Sequence, residues 1–311
     1  MTPTTPAPTP AHPALAAVED AIRRHTGSAF RIASQHEIRG GSIHVALRID
    51  DDVGSRYFVK LGEASRLPMF EAEADGLAAI ASSASFRTPV VIACEADDTH
   101  AFLVLEWLEL RPVTTAADGA RCAEALVRLH RDTGEHFGWP RDNFIGSTPQ
   151  RNGHQANWAR FVVDQRLRPQ FELARANGYG GDLHRQGERL LDRIPALFLD
   201  YRPSPSLLHG DLWHGNAAML ADGTPVIFDP AAHRGDRESD LAMSELFGGF
   251  PSSFYAEYRK AWPLHEDYEQ RKMLYSLYHV LNHLNLFGKG YLREAMRLVT
   301  RLNEELRRRR D

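Results

Sequence analysis

Leu207-Leu208-His209-Gly210-Asp211-Leu212-Trp213-His214-Gly215-Asn216, followed by Val226-Ile227-Phe228-Asp229-Pro230, is the stretch on which the reading of this chain turns. Each half begins with a short apolar run and ends on side chains that carry oxygen. Asp211 and Asn216 stand five residues apart, and Asp229 closes the second run just before a proline. Mg²⁺ prefers an octahedral shell of oxygens, and phosphoryl transfer asks a protein mainly for positioning and charge neutralisation. One carboxylate to take the proton of an attacking hydroxyl, with an amide and a second carboxylate to hold Mg²⁺, meets that need. Asp211 is therefore expected to be the catalytic base, with Asn216 and Asp229 holding the magnesium that carries ATP. Alone, Asp211 would read as a turn-forming aspartate; the set of three makes a chance match unconvincing.

His209 and His214 flank the base, yet no HExxH and no Cys/His pair with zinc spacing accompanies them, which argues against a zinc site. His209 is expected to be a packed histidine bonded to nearby backbone. The aspartate-to-asparagine separation is also that of the protein-kinase catalytic loop, with Gly210 where those enzymes carry arginine.

Upstream, Ile43, Val45, Leu47 and Ile49 alternate as a strand does, and Arg56 to Leu61 reads as the returning strand of a hairpin. Phe58 and Lys60 share one face of it. A helix follows over Met69 to Ala81, with Phe70, Ala74, Leu77 and Ala81 at helical spacing. Two strand-like runs come next, Pro89 to Cys94 and Ala101 to Glu106. Lys60 is suited to meeting ATP phosphates, and Glu73 to pairing with Lys60, with Glu71 as its rival. Gly40-Gly41-Ser42 would cover the phosphates, and backbone near Glu106 and Leu108 would receive the adenine. There is no Walker A pattern and no GxGxxG, which removes the main support for P-loop and Rossmann readings.

Beyond Trp107 helical patterns dominate: Ala116 to Arg131, Gln155 to Ala176, Gly187 to Phe198, and two closing helices marked by Leu274, Leu277, Leu281, Leu284 and by Met296, Leu298, Leu302, Leu306. The expected fold is thus α+β and bilobal: residues 1–13 a Pro/Thr/Ala-rich disordered tail, 14–107 a small antiparallel-sheet lobe, and 108–311 a larger, mostly helical lobe.

The chain has 311 residues, 43% hydrophobic and 25% charged, with a formal net charge of -4. That length can bury a sizeable core, and the balance carries no nucleic-acid footprint. The one basic run, Arg307 to Arg310, reads as a solvated helix end. Cys94 and Cys122 are too few and too far apart for a disulfide framework, the N-terminus lacks the pattern of a signal peptide, and no apolar run reaches membrane-spanning length. A soluble cytoplasmic protein is expected.

The strings LLHGDLWHGN (Leu207 to Asn216), FDPA (Phe228 to Ala231), FGGFP (Phe247 to Pro251) and YHVLNHLNLFG (Tyr278 to Gly288) resemble the fructosamine kinase, or ketosamine 3-kinase, family. LPMFEAEADGL (Leu67 to Leu77) and FGWPRDNFIGSTPQ (Phe137 to Gln150) are similar to its bacterial members. The family is related to aminoglycoside phosphotransferases and choline kinases. The resemblance, from about Gln35 to Glu305, implies a protein-kinase-like fold and ATP-dependent transfer to the 3-hydroxyl of a ketosamine or glycated amine. The products are unstable 3-phosphates that free the amine, which makes the family one of deglycation repair. It implies the same roles for Asp211, Asn216, Asp229, Lys60 and Glu73. Many members have a cysteine in the glycine-rich loop, linked to redox control; Ser42 stands there, so thiol regulation at that site is not expected. His214 replaces a frequent serine. Trp213, His214, His283 and Asn285 are candidates for the acceptor side, with core packing or helix bridging as the competing reading of Trp213 and Asn285. Two other readings stay open: an aminoglycoside- or choline-type phosphotransferase, and a non-catalytic nucleotide-binding scaffold.

Overall fold

The computed structural model describes residues 12–38 and 45–308, so Gly40, Gly41 and Ser42 lie outside the described residues. By internal packing the chain divides into two compact units: residues up to Ala74 with Pro89–Leu108, and Asp75–Thr88 with Glu109 onward.

In the first unit, helix α1 (Leu15–Thr26) precedes strands β1 (Ser34–Glu37), β2 (Val45–Asp50) and β3 (Arg56–Glu63), then helix α2 (Leu67–Ser82) and strands β4 (Val91–Ala96) and β5 (His100–Glu106). The strands form one sheet in the order β1-β2-β3-β5-β4, antiparallel at every pairing. Alternation sorts its side chains: Leu47, Ile49, Val59 and Leu61 pack with Val18 and Ile22 of α1. Phe58 and Lys60 stand on the other face. β1 is an unexpected strand; Ser-Gln-His-Glu has no apolar alternation because an edge strand exposed on this side needs none.

Besides the division between Leu108 and Glu109, a boundary falls inside α2. Residues 75–88 pack with the second unit for visible reasons. A Cβ on Gly76 would meet Pro230 at 3.0 Å, and Arg87 bridges Val226. Arg128 Nη2 donates to the Ser85 carbonyl at 3.1 Å. The buried stripe of α2 is Phe70, Leu77 and Ile80; Ala81 is exposed, one position off the expected phase.

The second unit opens with α3 (Ala116–Arg131) and the hairpin β6 (Asn143–Ile145) and β7 (Thr148–Gln150). There follow α4 (Trp158–Phe161), a π-helical turn (Val162–Leu167), α5 (Arg168–Ala176) and α6 (Asp182–Leu191). The expected helix over Gln155 to Ala176 starts three residues late, where Asn157 caps it by accepting the Arg160 amide at 2.9 Å. The expected helix over Gly187 to Phe198 is instead α6 plus a 3₁₀ turn (Ile194–Phe198), broken where Pro195 can donate no hydrogen bond. Strands β8 (Ser206–Leu208), β9 (Ala217–Met219), β10 (Pro225–Ile227) and β11 (His233–Gly235) precede α7 (Glu238–Leu246), α8 (Ser252–Ala261), α9 (Tyr268–Phe287) and α10 (Leu292–Arg308). Helices α7 and α8 were not foreseen. α7 is buried nearly all round, carboxylates included, so it shows no amphipathic stripe. Among the described residues no helix is long and apolar enough to cross a membrane.

α3 is fixed at its start by a capping box: Thr115 Oγ1 accepts the Asp118 amide at 3.1 Å, and Asp118 accepts the Thr115 amide. Arg111 grips the same carboxylate through two 2.8 Å bonds and holds it well below the usual carboxylate range. Thr115→Ala should cost about 1 kcal/mol in a urea melt and leave turnover unchanged, because the far end of α3 faces the site.

Candidate active site

Two antiparallel pairs bring the two halves of the decisive stretch together. β8 pairs with β11, and β9 with β10, so that residues 209–216 and 228–232 run side by side between them. Three bonds lace the loops. The Ala231 amide donates to the His209 carbonyl at 2.9 Å, the Phe228 amide to the Asn216 carbonyl at 3.2 Å, and His209 Nε2 meets the Phe228 carbonyl at 2.9 Å. Burial pushes the His209 imidazole below its ordinary value, so the ring is neutral, and its Nδ1 accepts the Asp211 amide at 3.2 Å. His209 is a packed, loop-fixing histidine.

The crossing is tight. Gly210 has φ +82° and a Cβ there would lie 2.1 Å from the Ala231 carbonyl oxygen, so only glycine fits. Asp229 has φ +56°, a conformation that aspartate tolerates better than most residues. This geometry places Asp211, Asn216 and Asp229 at one spot. Asn216 Nδ2 donates to the Asp211 carbonyl at 3.0 Å and to its carboxylate at 3.4 Å, which leaves the amide oxygen Oδ1 as a metal donor. Burial, the charge of Asp229 and then that of Asp240 raise the Asp211 carboxyl to about 7, partly offset by Asn216. Two carboxylates that repel each other beside a free amide oxygen fit Mg²⁺, which would relieve the repulsion and keep water or phosphate oxygens in its remaining positions.

One residue that the sequence reading missed organises all this. Asp240 of α7, 1% exposed, accepts the His209 amide at 2.8 Å, the Gly210 amide at 2.9 Å and His130 Nε2 of α3 at 3.2 Å. Burial alone would raise its carboxyl, but the hydrogen bonds from His130 and from the Gly210 amide outweigh it and lower it. Burial pushes His130 down, so a neutral ring donates through Nε2 and accepts from the Tyr258 hydroxyl at Nδ1, 2.7 Å away. The available signal was three acids at alternate positions, Asp236, Glu238 and Asp240, at the start of an apolar helix.

In the first unit, Lys60 is 2% exposed and its Nζ lies 2.7 and 2.8 Å from the two carboxylate oxygens of Glu73. Glu71, two positions back on α2, is exposed. Glu106 ends β5, where its amide donates to the Val90 carbonyl at 2.9 Å, and Leu108 follows half-buried.

Trp213 is half-buried with its ring laid over Gly215, where a Cβ would come within 2.3 Å of the indole. His214 is exposed, yet its Nδ1 donates to the Gly248 carbonyl at 3.0 Å, tying the catalytic loop to the turn after α7. His283 of α9 donates Nδ1–H to the His279 carbonyl at 2.8 Å and lies among aromatic rings. The amide of Asn285 bridges α5 and α9: Nδ2 donates to Gln170 Oε1 at 2.7 Å, and Oδ1 accepts from Asn177 at 3.2 Å. Asn282 joins the same two helices through Gln170.

A family model for fructosamine kinases matches residues 14–305. A probable ketoamine kinase of Synechocystis is 43% identical over 279 residues, which cover 89% of this chain and 93% of that protein. A chloroplastic protein-ribulosamine 3-kinase of Arabidopsis thaliana is 37% identical over 299 residues, 94% and 90% of the two chains. The solved structure of a presumed fructosamine-3-kinase from Haemophilus somnus superposes with a TM-score of 0.84 at 30% identity, over 92% of this chain and 96% of that one. An aminoglycoside phosphotransferase shares the fold at a TM-score of 0.61 and 15% identity. The chain belongs to the fructosamine kinase family.

Proposed function

We propose that this protein is an ATP-dependent kinase that phosphorylates the 3-hydroxyl of ketosamines, the adducts of ribulose or fructose with amines. The observation that carries the reading is the geometry around Asp211: a carboxylate held by Asn216 beside Asp229, in a loop whose shape is fixed by Asp240 and Gly210. Asp211 accepts the proton of the sugar 3-hydroxyl as its oxygen bonds to the γ-phosphorus; the bond from that phosphorus to the bridging oxygen breaks, and ADP leaves. The Asn216 amide oxygen and the Asp229 carboxylate are the groups that would hold Mg²⁺, which when bound neutralises phosphate charge. Lys60 meets the phosphates and Glu73 fixes its ammonium. Gly40, Gly41 and Ser42, outside the described residues, are assigned to the phosphates from sequence alone, and backbone at Glu106 and Leu108 to the adenine. On the acceptor side, Trp213 offers an aromatic face to the sugar, with His214 and His283 beyond it. Two cysteines in 311 residues are too few for a disulfide framework, in keeping with a reducing cytoplasm.

The choice of ketosamine over other acceptors rests on the relatives that are named for it at 37–43% identity. The aminoglycoside enzymes share only the fold. The test is ADP release with ATP, Mg²⁺ and ribulosyl- or fructosyl-lysine, with the phosphate located by NMR. Phosphate on any oxygen but O3, or turnover confined to choline or aminoglycosides, would sink the reading. Glu73→Gln keeps a hydrogen bond but drops the charge that fixes Lys60, and should lower kcat/KM for ATP about tenfold with little change in melting temperature.

A further inference from the structure

The turn after α7 and the end of α9 present aromatic rings that the catalytic machinery leaves unused. Phe247 and Phe287 are 41% and 51% exposed, an unusual state for two large apolar rings in one neighbourhood. They are not scattered. The His283 ring lies 4.9 Å from Phe247, 5.4 Å from Phe287 and 5.1 Å from Tyr291, centroid to centroid. Phe287 and Tyr291 are 6.4 Å apart, which closes the group. The strip also has a fixed beginning at the catalytic loop. Trp213, two residues after Asp211, meets the His214 ring edge-on at 5.1 Å, and His214 is bonded to the carbonyl of Gly248, the residue after Phe247. A path of linked residues therefore runs from Asp211, through Trp213 and His214, to the turn that carries Phe247.

The chemistry of a ketosamine suits that path. With O3 at Asp211, C2 and C1 lead outward to the nitrogen, and whatever the amine is attached to lies further along the same direction. That nitrogen is a secondary amine, cationic at neutral pH, and cations are attracted to aromatic faces. Burial keeps His283 below its ordinary value, so its ring is neutral and does not repel such a nitrogen. A glycated lysine adds a flexible four-carbon stem, which packs along apolar surface as lysine stems do on proteins.

We propose that Phe247, His283, Phe287 and Tyr291 form the rest for the amine side of the acceptor and take the apolar stem of a glycated lysine side chain. This rests on the ketosamine-kinase reading and adds to it the residues that distinguish one amine from another. The strip contributes to binding and not to the chemical step, so its loss acts through KM.

The experiment compares two acceptors with the same sugar: a peptide carrying Nε-ribulosyl-lysine, and stemless 1-amino-1-deoxyribulose. For Phe247→Ala/Phe287→Ala, kcat/KM for the peptide should fall about tenfold through KM at unchanged kcat, as expected when a hydrophobic contact of this size is lost. The stemless acceptor should change less than about twofold, and Phe247→Tyr/Phe287→Tyr should restore the peptide. The stemless acceptor also reports folding, since a misfolded variant loses both. If the double variant matches the unsubstituted protein on the peptide, or if a variant with an unshifted melting temperature loses both acceptors equally, the strip has no such role. If the unsubstituted protein turns over neither acceptor, the ketosamine reading itself falls and this assignment falls with it.

Discussion

Asp211→Asn is expected to lower kcat about a thousandfold, while KM for ATP moves less than about threefold and the metal-free protein melts at a higher temperature. The rate loss follows from the proposed role of this side chain as the base. It is held by Asn216 beside Asp229, and an amide there can still be hydrogen-bonded but cannot take a proton. The stability gain follows from the same crowding. The Asp211 carboxyl is raised from 3.8 to about 7 in the fold, so between these values the folded state holds a proton that the unfolded state has lost. Stability is therefore full below pH 4 and declines as pH rises towards 7. At pH 8 the ionised carboxylate costs at most roughly 4 kcal/mol by the size of the shift, and about 2 kcal/mol once its partial exposure to solvent is allowed for. Asparagine removes that cost, and the gain over the unsubstituted protein should vanish below pH 4. Calorimetric scans at pH 8 and pH 4, with single-turnover rates at pH 8, measure both halves. Undiminished turnover would remove Asp211 from the role of base, and a variant that melts lower at pH 8 would contradict the electrostatic account.

The three residues that the fold brings to one spot were legible as a group because loops that carry chemistry keep fixed spacings between donors. Asp211, Asn216 and Asp229 were separable from ordinary turn residues by their sequence separation and by the short apolar runs that precede them. Glu73 was the expected partner of Lys60 with Glu71 as its rival, and the structure puts Glu73 on Lys60 with Glu71 exposed. What was illegible shares one physical cause, polar groups buried in bonded networks. Asp240 carries a charge, sits 1% exposed and has its partners 30, 31 and 110 residues away, so the alternate acids around it are its one local mark and say nothing of what it holds. Its helix, α7, also buries Glu238, which pairs with a fully buried Arg271 at 2.7 Å, and this hides the apolar periodicity by which helices are recognised. Asn285 shows the converse. It was open to two readings, an acceptor contact or a helix bridge, and its amide makes the bonds that join α5 to α9. Burial of a satisfied polar group and exposure of a functional one leave the same mark in a sequence.

Asp240→Ala should be the most destabilising single change near the site, lowering stability by about 4 kcal/mol, or on the order of 10 °C in melting temperature. Alanine strands three donors at once: the His209 amide, the Gly210 amide and His130 Nε2, all buried. Each buried donor left unmade costs about 1–3 kcal/mol, less whatever water can enter to restore. Asp240→Asn should cost only about 1–2 kcal/mol, because its carbonyl still accepts one or both loop amides and neutral His130 can exchange tautomers to accept from the new amide. The two variants also separate structure from catalysis. If Asp240 aims the base, Asp240→Asn should lower kcat by about tenfold or more in a protein that remains folded, with KM for both substrates little changed, since a base displaced by a fraction of an ångström loses rate before binding. If it serves only as a core carboxylate, the asparagine variant will melt lower and turn over at the normal rate. The loop geometry favours the first outcome: the amides that Asp240 holds belong to the two residues immediately before Asp211, and at Gly210 the backbone has no steric room to relax without carrying the base away from Asn216.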